Sequence, residues 1–400
     1  MKLDTLIIGG GLSGLTAGLR LQQAGQKTAI VSAGQNALHF SSGVFGVLNE
    51  GARVPEGHPY TKMDVERYFD QVQPFFASAG IRLGGDAHRN RWRLTPSGSL
   101  QEGRFSLEDT TLLEKEELSA VKKVLIAGIP GYLDFSAAFL ADSFVRRGIP
   151  AKVALLDIEE VTRLRTSPSE MRSVNIARVA DNVPEKVIQA VRAILRDEDL
   201  VILPQVFGLK DASIPLRIAE GIPVRALYVC TMPPSVPGIR AQMMLKRAYE
   251  NAGGIFLMGD EAVAPIVDET RVKAIRTVNL DDHLLMADQY ILATGSFFSK
   301  GLASSMQRVF EPLFGLDIRF PENRTEWYDE HFFAPQAFAR FGVDTDRSFR
   351  ALKDGKVLEN LYAVGSVLAG CDAQRLGCGG GVAILTALAV ADDILNLSRV

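Results

Sequence analysis

Gly9, Gly11 and Gly14, within "GGGLSG", stand at the G-x-G-x-x-G spacing that brings main chain up to a phosphate. The first glycine permits a tight turn, the second lets backbone approach the anion, and the third lets a helix lie close to a strand. Gly9, Gly10, Gly11, Leu12, Ser13 and Gly14 are therefore the leading phosphate-binding candidates. A second glycine group, Gly377, Gly379, Gly380 and Gly381, opens an apolar run near the end of the chain. Glycine at a helix start costs about 1 kcal/mol relative to alanine, so such a cluster implies close packing or a ligand lying on the backbone. Ser41, Ser42 and Gly43 in "ALHFSSG" offer hydroxyls and N–H groups, and Ala293, Thr294, Gly295 and Gly365 follow two further apolar runs. These residue types are suited to holding a ligand rather than to moving a proton, and for the Ser41–Gly43 segment a plain surface loop is the other reading.

The elements that position them follow from periodicity. Leu6 to Ile8 is a short apolar run ending at Gly9, which suits a strand buried on both faces of a parallel sheet. Leu12, Leu15 and Leu19 share one helical face, Gly25 suits a left-handed helix stop, and Thr28 to Val31 makes the next strand. The helix N-terminus then presents free N–H groups and a positive dipole end to an anion. After the second strand, where an acidic residue commonly holds an adenosine ribose, the chain has Ser32, a single hydroxyl.

Further along, residues 61–79 read as a helix stopped by Gly80, and "RWRL" as a strand. Lys122 to Ile158 repeats the order strand, helix, strand, and "DLVILPQVFGL" and "RALYVCTMP" add two more strands. Gly128 and Gly131 in "GIPGYLDF" lack G-x-G and include Pro130, so that turn reads as structural rather than as a phosphate loop. A helix over 239–251, a strand at 255–258, two or three antiparallel strands, a buried strand at 290–293 and a strand ending at Val364 follow. The expected fold is α/β: a Rossmann-like, G-x-G-x-x-G flavoprotein fold of the FAD/NAD(P)-binding kind, with a second, inserted α/β domain. Residues 1–118, 238–300 and 355–400 are expected to form the flavin-binding domain, and 119–237 with 301–354 the second.

Bulk properties exclude several classes. With 400 residues, 47% apolar and 23% charged residues and a net charge of -3, the chain carries no global excess of basic residues for nucleic acid. Cys230, Cys371 and Cys378 show no spacing for an iron–sulfur or zinc site, so no metal is expected. The N-terminus enters a buried strand within four residues, leaving no room for a signal peptide, and a reducing cytoplasm is expected. Uncharged apolar runs such as Val382 to Ala391 fall short of the roughly 18 residues that span a bilayer.

Proton transfer would need a base, and an anionic ligand would call for cations. His39, His331, Arg240, Arg324 and Arg375 qualify by type, but no spacing assigns any of them, and the catalytic residues stay unassigned.

"GGGLSG", "ALHFSSG", "GIPGYLDF", "SVNIAR", "PPSVPGIR", "ATGSFFSKGL", "EWYDEHFFAPQAF", "LYAVGSVLAG" and "GCGGGV" together resemble the B-subunit family of the anaerobic glycerol-3-phosphate dehydrogenases, from end to end. The glycine-rich pieces are shared with many flavoproteins, whereas "ALHFSSG", "PPSVPGIR" and "GSFFSKGL" are specific to this family. The resemblance implies a quinone-linked enzyme that oxidises sn-glycerol 3-phosphate to dihydroxyacetone phosphate. It also implies FMN in this chain, an FAD-containing A-subunit, and an iron–sulfur C-subunit that attaches the complex to the inner membrane and passes electrons to quinone. Ser32 is consistent with FMN, which has no adenosine, while the G-x-G-x-x-G loop is usual for FAD, the alternative. The exposed aromatics of "EWYDEHFFAPQAF" are candidate docking residues, with a core role for Phe332 and Phe333 the other possibility. Two other functions remain open: a stand-alone flavin oxidoreductase of another small substrate, and a non-catalytic scaffold.

Overall fold

The apolar run before Gly9 becomes the strand Lys2–Ile8, whose last four residues are buried. In this computed structural model, which describes residues 2–48, 51–280 and 282–397, that strand is central to a six-stranded sheet. Across the sheet the order is Ile255–Met258, Thr28–Ser32, Lys2–Ile8, Met286–Leu292, Lys356–Ala363 and Arg350–Lys353. The first five strands run parallel and the last is antiparallel. Leu6 lies opposite Ala29 on one side and Tyr290 on the other. All three are fully buried, as a two-faced parallel sheet requires.

The helix Leu12–Gln23 follows the first strand, and the chain leaves it through Gly25 at φ +90°. Its Leu15, Leu19 and Leu21 are buried, each contributing about 1.5–3 kcal/mol of apolar burial. It packs against the C-terminal helix Gly379–Leu397, and the Arg20 guanidinium bridges to Asp392 at 2.8 Å. That C-terminal helix corrects one expectation. Taken whole it is long and apolar enough to cross a bilayer, because the helix continues past Asp392 and Asp393, where the uncharged run ends. Yet 67% of its apolar window is buried inside the protein, which is how a core helix uses such a composition.

The chain divides into two compact units, the first made of 1–37, 46–80 and 244–400 and the second of 38–45 and 81–243. This division differs from the expected one at three places. Residues 301–354 fall in the first unit, residues 38–45 and 81–118 in the second, and the later boundary lies inside the single helix Val236–Asn251. The small strands Val44–Phe45, Leu83–Gly85 and Phe105–Leu107 pair with one another, which assigns 38–45 and 81–118 to the same unit.

The second unit is a separate parallel sheet in the order Arg225–Val229, Leu200–Pro204, Val124–Gly128, Ala151–Leu155. Every residue of its two middle strands is buried. The helices Ala137–Arg146, Ser173–Ala180, Pro184–Ile194 and Ser213–Glu220 accompany it, the last three unread from sequence. In the first unit the expected helix over 61–79 is a 3-10 turn, Pro59–Lys62, followed by Val65–Ser78, which starts where the Asp64 carboxylate accepts from the Arg67 N–H. The meander is a pair of strands, Ala262–Asp268 and Arg271–Thr277.

Candidate functional site: a glycine-lined sheet edge

In the first unit, four adjacent parallel strands end at Ile8, Ser32, Leu292 and Ala363, at one edge of the sheet. The loops leaving them carry Gly9–Gly11, Ser32, Ala293–Gly295 and Gly365, so eleven expected site residues, with Leu12, Ser13 and Gly14, share that carboxyl edge. Ligands of open α/β sheets bind at such edges.

Each glycine of the motif has its own physical reason. Gly9 turns at φ +116°, and a Cβ there would lie 2.2 Å from the Ala293 carbonyl oxygen. A Cβ on Gly14 would lie 1.9 Å from the Gly9 carbonyl oxygen, so the third glycine sets the close approach of helix to loop. At Gly11 the situation is reversed: φ is -79°, and the nearest atom to an added Cβ is the Asn36 Cβ at 3.9 Å. Protein packing does not require glycine at 11, and the open space beside it is where a ligand's phosphate has room.

The electrostatics suit an anion. Gly11 is the N-cap of the helix, with the Leu15 N–H donating to its carbonyl at 2.9 Å. The first-turn N–H groups of Leu12, Ser13 and Gly14 have no intrahelical acceptor, and no acidic side chain occupies that turn. Asn36, which sequence reading did not single out, donates from Nδ2 to the Gly10 carbonyl at 2.8 Å and fixes the loop from outside. Thr294 Oγ1 is buried with no hydrogen-bond partner among the described residues, a deficit of about 1–3 kcal/mol that a ligand's polar group would offset. A flavin phosphate therefore fits the residues present. Ser32 is 6% exposed, and among the described residues its Oγ donates to the Gly34 carbonyl at 3.4 Å.

The remaining expected residues divide. Gly365, at φ +74°, abuts Ser13: a Cβ there would lie 2.5 Å from the serine hydroxyl. Gly379 and Gly380 are half-buried at the start of the C-terminal helix. Gly381 is held by packing, since its N–H donates to the Gly46 carbonyl at 2.8 Å and its Cβ position is blocked by Val47 and Tyr60. Ser41, Ser42 and Gly43 belong to the second unit. There Ser41 Oγ accepts from the Gly43 N–H, and Ser42 lines a small cavity with Arg93, Thr110 and Cys230.

The contacts of the basic candidates do not draw any of them into the sheet edge. Arg240 is buried in the second unit, ion-paired with Asp109 and donating to the Phe207 and Gly208 carbonyls, which makes it a structural cation. Arg324 stacks over Trp327 at 4.6 Å, and Arg375 and His331 are exposed. His39 is half-buried, and its carbonyl accepts from the Ser235 N–H. In "GIPGYLDF", Tyr132 and Phe135 are buried and Tyr132 hydrogen-bonds Ser173 at 2.8 Å, a structural turn as expected. Phe332 and Phe333 are each 83% exposed, while Trp327 of the same segment is buried.

Comparison with known proteins bears on the same loop. Residues 4–382 match the family model described as an FAD binding domain. The chain is 38% identical to the B-subunit of the anaerobic glycerol-3-phosphate dehydrogenase of Pectobacterium atrosepticum, over 99% of each chain. It is 38% identical to that of Yersinia enterocolitica over all of both chains. It is 35% identical to that of Actinobacillus succinogenes, also over the full length of both. The family model names FAD, and nothing in it supports the FMN expected from the resemblance.

Proposed function

The chain belongs to the B-subunit family of the anaerobic glycerol-3-phosphate dehydrogenases and is a flavin oxidoreductase subunit, and on that premise we propose the reaction, cofactor and partners that follow. The substrate is sn-glycerol 3-phosphate and the product dihydroxyacetone phosphate. The partners are an FAD-containing A-subunit and an iron–sulfur C-subunit, through which electrons reach quinone and the complex attaches peripherally to the cytoplasmic face of the inner membrane. The relatives' names support the substrate and the existence of partners. The three cysteines lack cluster-ligand spacing, which supports placing the clusters in another chain of the complex.

The observation that carries the reading is the open face at Gly11 beside an uncompensated helix N-terminus. Gly9 to Gly14 would hold the flavin phosphate, with Thr294 and Gly295 on the adjoining loop and Gly365, Gly379 and Gly380 on the next. A bound flavin supplies a two-electron acceptor for alcohol oxidation. The chain's own residues bind and orient it: main-chain N–H groups face the anion, Asn36 holds the loop, and the buried Thr294 hydroxyl gains a partner. The proposed flavin is FAD, on the family match, with FMN the alternative that Ser32 suggests. Denaturing the purified protein and identifying the released flavin by mass tests this. Release of FAD is expected, release of FMN reverses the choice, and absence of any flavin refutes the site.

A further inference from the structure

Outside the sheet-edge motif, His58, Cys371 and Cys378 bring one nitrogen and two sulfurs within 4.8 Å of one another, all in the first unit. Cys378 and His58 are fully buried and Cys371 is half-buried. The Cys371 and Cys378 sulfurs are 3.6 Å apart, and His58 Nε2 is 3.6 Å from Cys378 Sγ. We propose that Cys371 and Cys378 form a redox-active dithiol, set up by His58, that exchanges with small-molecule disulfides. This stands independently of the flavin reading.

The same three groups would also suit a soft cation, since zinc at about 2.3 Å from sulfur and about 2 Å from nitrogen brings its ligand atoms to about 3.5–4 Å from one another. The imidazole tautomer decides between the two. His58 Nδ1 accepts the Tyr60 N–H at 3.1 Å, so in the neutral ring the proton sits on Nε2. An Nε2–H donates to a thiolate and has no lone pair for a metal. Cys378 is also the residue before the helix Gly379–Leu397, and its carbonyl accepts the Val382 N–H at 2.9 Å, which places the residue at the positive end of a 19-residue helix. The hydrogen bond from Cys371, with that from His58, pulls the Cys378 thiol down to about 6, and the same bond raises Cys371. The pair thus holds one proton between two sulfurs at neutral pH.

The exchange balances as follows. In the minor form in which the shared proton sits on Cys378, Cys371, the half-buried residue of the pair, attacks one sulfur of R–S–S–R as a thiolate; the S–S bond breaks and the other half leaves as RS⁻. Cys378 then gives up that proton and attacks the Cys371 sulfur. The Cys371–Cys378 bond forms, the mixed Cys371–SR disulfide bond breaks, and the second half departs as RSH with the proton. Two electrons pass from the pair to the small disulfide. The segment between the sulfurs contains the short helix Ala373–Leu376 and Gly377 at φ +63°, so closure involves only a short loop.

The test uses the full-length protein as purified, incubated with glutathione disulfide across a pH series, blocked with an alkylating agent and mapped by peptide mass. The expected result is an intramolecular bond between Cys371 and Cys378, with Cys230 unlinked. Its formation should rise with a midpoint near pH 6 rather than the about 8.5 of a free thiol. His58→Gln, which keeps a donor near the Nε2 position, should retain most of the low midpoint, and His58→Leu should shift it toward that of a free thiol. Stable glutathione adducts with no internal bond in the wild type overturn the proposal, as does a wild-type midpoint near that of a free thiol. Stoichiometric zinc in the purified protein, lost in Cys378→Ser, overturns it in favour of a metal site.

Discussion

Replacing Gly11 with valine separates ligand binding from folding, because this glycine alone in the motif has no neighbour that demands it. Backbone φ at 11 is -79° and ψ is -171°, extended geometry that a β-branched residue adopts without strain. The added Cβ has only Asn36 Cβ near it, at 3.9 Å, so the fold loses little beyond a weaker N-cap, about 1 kcal/mol or less. The valine methyls, however, occupy the space in front of the first-turn N–H groups. Losing one charge-assisted bond to a phosphate costs about 1.5–3 kcal/mol, a weakening of roughly ten- to a hundredfold. Thermal unfolding of the apoprotein, together with flavin titration followed by fluorescence, measures both quantities. A Gly11→Val protein that melts like wild type and binds flavin within twofold of wild type would refute the placement of the phosphate. Gly14→Ala provides the contrast. Its Cβ would meet the Gly9 carbonyl at 1.9 Å, so it should lose about 1–3 kcal/mol of stability in the absence of any ligand.

Other consequences are equally measurable. Arg240→Met leaves Asp109 buried without its cation and should destabilise the protein by about 3–5 kcal/mol in urea unfolding, while flavin content per folded molecule stays at the wild-type level. The Asp199 carboxylate accepts from the Lys122 and Lys123 N–H groups, bonds that hold its folded-state pKa below the ordinary value. Its stabilising contribution is therefore present above about pH 4 and lost as pH falls through the lowered value, so Asp199→Asn should flatten the acid limb of the urea midpoint and leave less stability at neutral pH. Ser32→Glu restores an acidic side chain at the end of the second strand. It should tighten FAD up to about tenfold, from a bond of about 1.5 kcal/mol, and leave FMN unchanged; equal effects on both flavins would remove Ser32 from the adenosine side.

The first unit was legible because its local signals agree with one another. Leu6 to Ile8, the glycine spacing and Gly25 each fix a short piece of chain, and the parallel sheet joins those pieces without further information. The domain boundaries were not legible, since the pairing of Val44–Phe45 with Phe105–Leu107 joins segments about sixty residues apart, and no local residue announces it. For the same reason Arg240 read as a candidate for substrate phosphate, and only its long-range partner Asp109 shows it to be structural. Gly381 read as a ligand contact, but Gly46, Val47 and Tyr60 explain it by packing. His58 and Cys378 lie 320 positions apart and carry no motif, so their approach exists only in the folded chain.

The central claim is that this chain is one component of an assembly that turns over glycerol 3-phosphate with quinone. The most direct measurement is glycerol-3-phosphate-dependent quinone reduction by the flavin-loaded chain, alone and after reconstitution with an FAD-containing and an iron–sulfur partner. The account predicts turnover by the reconstituted assembly, its loss when Gly11→Val replaces the wild-type chain, and none by the chain alone. Robust turnover by the isolated chain, or none by the assembly, would contradict it.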